Sequence, residues 1–237
     1  MRNTWIILKR ELAAYFASPV AYAVGAMFLL LAGVFFALPF FFGSREATLR
    51  SWMNTVTVLL LFIAPMLTMK LLAEEKQSGT IELLLTSPLR DWEMVTGKFL
   101  AALTYWLALL VVTLIYPLIL QIFGNPDWIP IVTGYLALLL VGGAMLAIGV
   151  LSSAISPNQI TAVMVAFAIL LVFYIAANFQ NVFRGTVGDV VAYLSLTTHM
   201  DDLMKGVIDS SHLLYYLSVI IGSLFISTRV IETRRWS

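Results

Sequence analysis

Charge is what this sequence has least of. Only 11% of its 237 residues are Asp, Glu, Lys or Arg, whereas a water-soluble domain carries about 25%. A chain so poor in charge cannot clothe a globular surface in water. With 61% hydrophobic residues and a mean hydropathy of +0.94, it needs a bilayer as solvent. Cysteine is absent, which excludes disulfides, thiolate metal ligands and a cysteine nucleophile. The net charge of +1 offers neither a basic patch for nucleic acid nor an acidic tail. The sequence contains no HExxH zinc helix and no GxSxG nucleophile turn. A GxxxxGK[ST] phosphate loop is also absent, because Gly97-Lys98 is followed by Phe99.

What is present is a series of long apolar runs: Pro19–Phe42, Trp52–Met69, Phe99–Phe123, Ile129–Ile155, Gln159–Phe183 and Leu213–Thr228. Each approaches the ~20 residues a helix needs to cross the hydrocarbon core. They predict an all-α integral membrane protein of six transmembrane helices, forming a single domain over residues 1–237. The charges before Pro19 and the lack of a small-residue cleavage site after the first run read as a retained span rather than a removable signal. No Asp, Glu, Lys, Arg or His lies deep in the third, fourth or fifth run. Ion-coupled carriers and proton pumps rely on such groups, so energy is expected to enter from another source, although main-chain ion sites stay open.

Residues 1–18 precede the first run. Trp5, Leu8, Leu12 and Phe16 have the spacing of one helical face, which predicts a helix lying in the membrane interface, with Lys9 snorkelling. The alternative is the aqueous start of span one. With the N-terminus in the cytoplasm, Arg2, Lys9, Arg10, Lys70, Lys76, Arg90, Lys98, Arg229, Arg234 and Arg235 lie inside. Only Arg45, Arg50, Arg184 and Lys205 lie outside. The excess of inner lysine and arginine orients the chain with both termini cytoplasmic. Within the spans, Gly143 and Ala147, and Gly149 and Ser153, are small residues four apart that permit close helix packing. Pro39, Pro65 and Pro117 kink or end their helices. Asn178 and Gln180 either line a pathway or bond a neighbouring helix.

The stretch 74–92, between spans two and three, carries the densest local signals. Gly79 permits a sharp turn. Thr80 is placed to cap a short helix over Ile81–Leu85, which Pro88 then stops. Asp91 is placed to cap the next helix, with Glu93 in its first turn. The product is a stiff element presenting Ile81, Leu83, Leu84 and Leu85 beside acidic Glu82. By residues alone it is either a rigid knob for a partner's groove or an amphipathic loop on the membrane surface. The adjacent Glu74-Glu75 pair echoes one membrane protease family, but Gly79 stands where that motif needs arginine, so an intramembrane hydrolase is disfavoured.

Glu75, Gly79, Thr80, Glu82, Leu84, Leu85, Thr86, Ser87 and Pro88, followed by Gly97-Lys98, resemble the signature of ABC-2 type transporter permeases. The resemblance spans essentially the whole chain. It implies a permease subunit of an ATP-driven ABC transporter, an exporter, in the bacterial cytoplasmic membrane. The chain would bind no cofactor, with ATP and Mg held by separate cytoplasmic ATPase subunits, and it would pair with a second copy or a related permease. The loop would contain the coupling helix. Glu74, Glu75 and Glu82 would make charged contacts with the ATPase, Leu83 to Leu85 would fill its apolar groove, and Gly79, Ser87 and Pro88 would shape the turn ends. Residues 1–18 would be the family's connecting helix.

A second stretch, Thr198 to Asp209 followed by Leu214-Tyr215-Tyr216-Leu217-Ser218, resembles the GldF-like permeases associated with gliding motility. That subgroup implies a GldG-like membrane-anchored extracytoplasmic partner. Heme-exporter permeases are the nearest competing subgroup, and a scaffold recruiting partners without moving a substrate is the alternative in another class. Residues 184–212 would form an extracytoplasmic helical loop. Thr198 and Asp201 have capping-box spacing, and Met200, Leu203, Met204 and Val207 read as its apolar face. His199, Asp201, Asp202, Gly206 and Asp209 are its candidate functional residues. The helix would either cap the mouth of a pathway or pack over spans five and six.

Overall fold

The computed structural model describes residues 2–42, 48–80, 90–176, 188, 190 and 193–235. Among them every regular element is helical: α1 Arg2–Ala17, α2 Pro19–Phe41, α3 Arg50–Gln77, α4 Asp91–Thr113, α5 Ile115–Phe123, α6 Trp128–Ile155, α7 Gln159–Ile175, α8 Thr198–Leu203 and α9 Ser210–Arg235. Five helical stretches are long and apolar enough to cross a membrane: α2, α3, the α4–α5 unit, α6 and α9. The expected fifth of six spans corresponds to α7. Its 17 described residues rise only about 25 Å, short of a ~30 Å core. The remainder of that run, with Asn178 and Gln180, lies outside the described residues.

The helices outrun the apolar runs that announced them. α3 continues through Lys70, Glu74, Glu75 and Lys76 to Gln77, and α4 starts at Asp91 rather than Phe99. Pro19 opens α2 at its first position, where its missing N–H costs nothing. Pro39 and Pro65 sit inside their helices. Pro117 acts differently. Its ring and missing N–H oppose an unbroken helix, and the chain breaks at Leu114. The carbonyl of Thr113, four residues before Pro117, instead accepts the Tyr135 hydroxyl at 2.9 Å.

The core is organised around α6, which packs against α3, α4, α7, α8 and α9. Small residues make this possible. A Cβ on Gly142 would sit 2.2 Å from Trp106 Nε1, and one on Gly149 would sit 2.2 Å from Thr68 Oγ1. Ser153 reaches the α3 backbone, accepting from the N–H groups of Leu72 and Ala73 and donating to the carbonyl of Met69. Close backbone approach between spanning helices is the use expected of such residues. At one end of the bundle, Lys76 of α3 donates to the carbonyls of Ala154 and Ser156 at the close of α6. At the other end, Arg50 of α3 meets Asp201 of α8 at 3.6 Å. The charged groups thus mark two opposite ends, separated by apolar helix.

Two expected caps are displaced. Arg90, not Asp91, is the N-cap of α4. Asp91 is its first helical residue, and Glu93 accepts the Arg90 backbone N–H at 3.3 Å. Arginine has no acceptor, so only this return half of a capping box forms. Likewise Thr197 precedes α8, and Thr198 is its first helical residue. Met200, Leu203 and Met204 are buried as expected, but Val207 is exposed. The chain turns at Gly206, with φ of +90°, before Val207 can continue the face.

Candidate functional site

The end of the bundle where α1 lies holds the chemistry the apolar spans lack. α1 packs along the start of α4, and a glycine decides how closely. A Cβ on Gly97 would sit 2.8 Å from Ile7 Cγ2 and 3.1 Å from the Thr4 carbonyl. One residue on, the side chain of Lys98 is only 1% exposed. Its ammonium donates to Glu75 Oε1 at 2.7 Å and to Glu11 Oε1 at 3.0 Å. Arg10 closes the cluster from outside, 2.5 Å from Glu11 Oε1 and 3.2 Å from Glu75 Oε1. Glu11 belongs to α1, Glu75 to α3 and Lys98 to α4, so one buried cation joins three helices. Burial alone would raise the carboxyl pKa of Glu11, but Lys98 and Arg10 hold it below its ordinary value.

Two further contacts fasten α1. Asn3 donates to Glu93 Oε2 at 3.0 Å, and the Tyr15 hydroxyl donates to the carbonyl of Leu67 at 2.6 Å. Burial pushes the Tyr15 phenol above its usual range, and its ring stacks on Tyr105. The stripe expected on α1 is divided by this packing. Leu8 is buried and Leu12 half-buried, whereas Trp5 is 57% and Phe16 51% exposed. The face toward α4 runs through Ile7, Glu11 and Tyr15. Lys9 Nζ lies over the exposed Trp5 ring, 5.3 Å from its centre, consistent with a snorkelling lysine.

The segment beyond α3 begins as the sequence requires. Gly79 has φ of +71° with nothing within 4 Å of where its Cβ would stand, so backbone conformation, not crowding, calls for glycine. The Thr80 hydroxyl bonds Ser78 Oγ at 2.9 Å, and Glu74 is exposed. Ile81, Glu82, Leu83, Leu84, Leu85, Ser87 and Pro88 lie outside the described residues. Of the three glutamates expected to face a partner, Glu74 points outward and Glu75 is turned in to Lys98.

At the opposite end, α8 is clasped by α9. His199 is buried, stacked on Tyr215 with ring centres 3.9 Å apart, and its Nδ1 lies 3.1 Å from the Ser195 carbonyl. Burial lowers its pKa, and the neighbouring His212 adds to the effect. Asp202 accepts from Lys205 at 2.9 Å and lies 3.3 Å from His212 Nε2. Asp209 accepts the Ser211 N–H at 2.9 Å at the start of α9. No group of three His, Asp or Glu side chains among the described residues is placed to hold a metal ion.

Helices of this length and apolarity, with charge confined to the two ends of the bundle, define a multi-pass membrane protein. The sequence profile described as ABC-2 family transporter protein matches residues 5–228, and the chain belongs to that family. It is therefore a permease subunit of an ABC transporter, whose partner is an ABC ATPase subunit; permeases of this family carry no ATP-binding motif of their own. No curated protein matches the chain significantly. In the sequence Gly97-Lys98 stands out only as a motif, with nothing local to show its purpose. The signal for its partner was a lone glutamate, Glu11, on the otherwise cationic N-terminal helix.

Proposed function

We propose that the chain is the permease of an ATP-driven exporter of the GldF-like type. In this reading the α1 end faces the cytoplasm of a bacterial inner membrane, and α7 belongs to the fifth of six spans. The ATPase docks on the segment 74–92, with Glu74 and Glu82 meeting basic groups and Leu83 to Leu85 filling an apolar groove. A second permease copy or a related subunit completes the pathway, and a GldG-like protein engages the far side around α8. The observation that carries this reading is the joining of Glu75, just before the loop, to Lys98, just after it. Force on a loop held by two unconnected helices would be lost in bending. Here the flanking helices are tied through a buried cation, and α1 is tied to both, so a push moves the three together. A two-state displacement of this kind needs packed elements that do not deform continuously.

The test is ATP turnover by the reconstituted permease–ATPase complex. Glu82→Lys should weaken ATPase binding and abolish substrate-stimulated turnover while leaving the permease folded. Undiminished binding and turnover in Glu82→Lys would remove the loop from the coupling path.

A further inference from the structure

Beside the ion cluster, a cavity of about 410 Å³ opens between α1, α2 and α3. That is within the roughly 300–1,000 Å³ of small-molecule sites. Its walls are of two kinds. Val20, Val24, Met66 and Leu67 form an apolar flank, and Lys70, Glu74, Glu75 and Thr80 a polar end. The polar end is incompletely satisfied. Glu75 Oε1 is engaged by Lys98 and Arg10, but its other oxygen, Oε2, is buried with no hydrogen-bond partner among the described residues. A buried unpaired carboxylate oxygen is costly, so a donor is called for. Lys70, half-buried on the same wall, has no ion pair or side-chain hydrogen bond among the described residues.

From these features we infer that the slot between α1, α2 and α3 binds a membrane lipid whose headgroup pairs a phosphate with a primary ammonium, as phosphatidylethanolamine does. The ammonium supplies the N–H donor that Glu75 Oε2 lacks, in a pocket end lined by Glu11, Glu74 and Glu75. The phosphate answers Lys70. The first acyl carbons lie along Val20, Val24, Met66 and Leu67. The arrangement discriminates among headgroups on chemical grounds. A choline headgroup has the same phosphate and charge, but its quaternary nitrogen carries no N–H and cannot bond Oε2. A glycerol headgroup donates from hydroxyls but brings no charged donor to Glu75. Because the lipid would touch both Glu75 and Thr80, it would sit against the first residues of the loop.

The experiment titrates delipidated full-length chain in detergent with phosphatidylethanolamine and phosphatidylcholine of identical acyl chains, read by native mass spectrometry. One charged hydrogen bond predicts about tenfold tighter binding of the ethanolamine lipid. Lys70→Ala, at the rim and outside the ion cluster, should weaken both lipids. Ala14→Trp, which fills the slot from α1, should abolish binding of both at an unchanged unfolding midpoint. Equal affinities for the two lipids would overturn the assignment, as would lipid binding that survives Ala14→Trp. Soluble glycerophosphoethanolamine binding as tightly as the lipid would show a headgroup site without a lipid and would equally overturn it. Lys70→Ala is read independently, so a folding defect in Ala14→Trp leaves the headgroup preference and its dependence on Lys70 as the deciding results.

Discussion

Lys98 Nζ stands 2.7 Å from Glu75 Oε1 across the base of the segment that separates α3 from α4. The same nitrogen reaches Glu11 at 3.0 Å, so the ammonium is shared between two carboxylates from helices that are remote in sequence. A buried cation is tolerated only with such compensation, and the compensation here fixes the relative positions of α1, α3 and α4.

Removing the cation should therefore hurt more than removing the whole cluster. Lys98→Met leaves two facing carboxylates and should cost about 3–5 kcal/mol. Adding Glu11→Gln and Glu75→Gln should restore much of the loss, because only Arg10, on the exposed side of the cluster, then keeps a charge. Thermal unfolding in detergent measures both. A Lys98→Met variant as stable as the parent would show that the cluster contributes nothing to the fold.

Gly97 should be sensitive for a separate reason, the approach of Ile7. Gly97→Val should lift α1 from α4, seen as faster amide exchange over residues 3–15. Ile7→Ala in the same chain should return part of the protection by clearing the contact. Non-additivity in that pair is the expected sign of direct contact. Simple additivity would place Ile7 elsewhere.

The α6 glycines separate close packing from mere helix composition. Gly142→Ala puts a methyl group against the Trp106 indole, 2.2 Å from Nε1. Overpacking of this kind costs typically about 1–3 kcal/mol. Gly222→Ala in α9 meets nothing within 4 Å and should be neutral or slightly stabilising through helix propensity. Equal unfolding midpoints for the two variants would contradict the packing around α6.

Acidity should loosen each end of the molecule in a different window. The Glu11 carboxyl is held below its ordinary 4.5 by Lys98 and Arg10 against the cost of burial. The undocked form therefore takes up the proton first, and α1 docking, intact above that value, is lost as pH falls through the depressed pKa. His199 is held below its ordinary 6.5 by burial and by His212. Its neighbours are Tyr193, Tyr215 and Tyr216, with Asp202 beyond on His212. Docking of α8 should therefore weaken once pH drops below about 6.5, before α1 responds. Amide exchange of α8 and α1 against pH gives both midpoints. His199→Gln should remove the first transition and leave the second.

Five of the six expected spans were legible because uncharged runs of membrane length admit few other readings, and small residues in the fourth run foretold close packing. Boundaries were not. The helix continues past Met69 because Lys70, Glu74 and Glu75 are good helix formers, and hydropathy does not register that. On α1 two apolar stripes overlap in sequence. Periodicity cannot tell the one that meets protein, through Ile7 and Tyr15, from the one left outside, through Trp5 and Phe16. Lys98 was invisible as a structural residue for a simpler reason: Glu11 lies 87 positions away, and no local pattern connects them. The break at Leu114 was legible from Pro117, but the hydroxyl that answers it comes from Tyr135, in another helix.

In the proposed orientation the segment that opens at Gly79 lies on the ATPase side of the membrane. The chain has no native cysteine, so Thr80→Cys offers a single thiol at that point and Asp209→Cys another at the opposite end. In intact cells, a membrane-impermeant maleimide should label Asp209→Cys and not Thr80→Cys, and a short thiol cross-linker on purified complex should join Thr80→Cys to the ATPase subunit. Labelling of Thr80→Cys from outside the cell would contradict the orientation and the coupling role that depends on it.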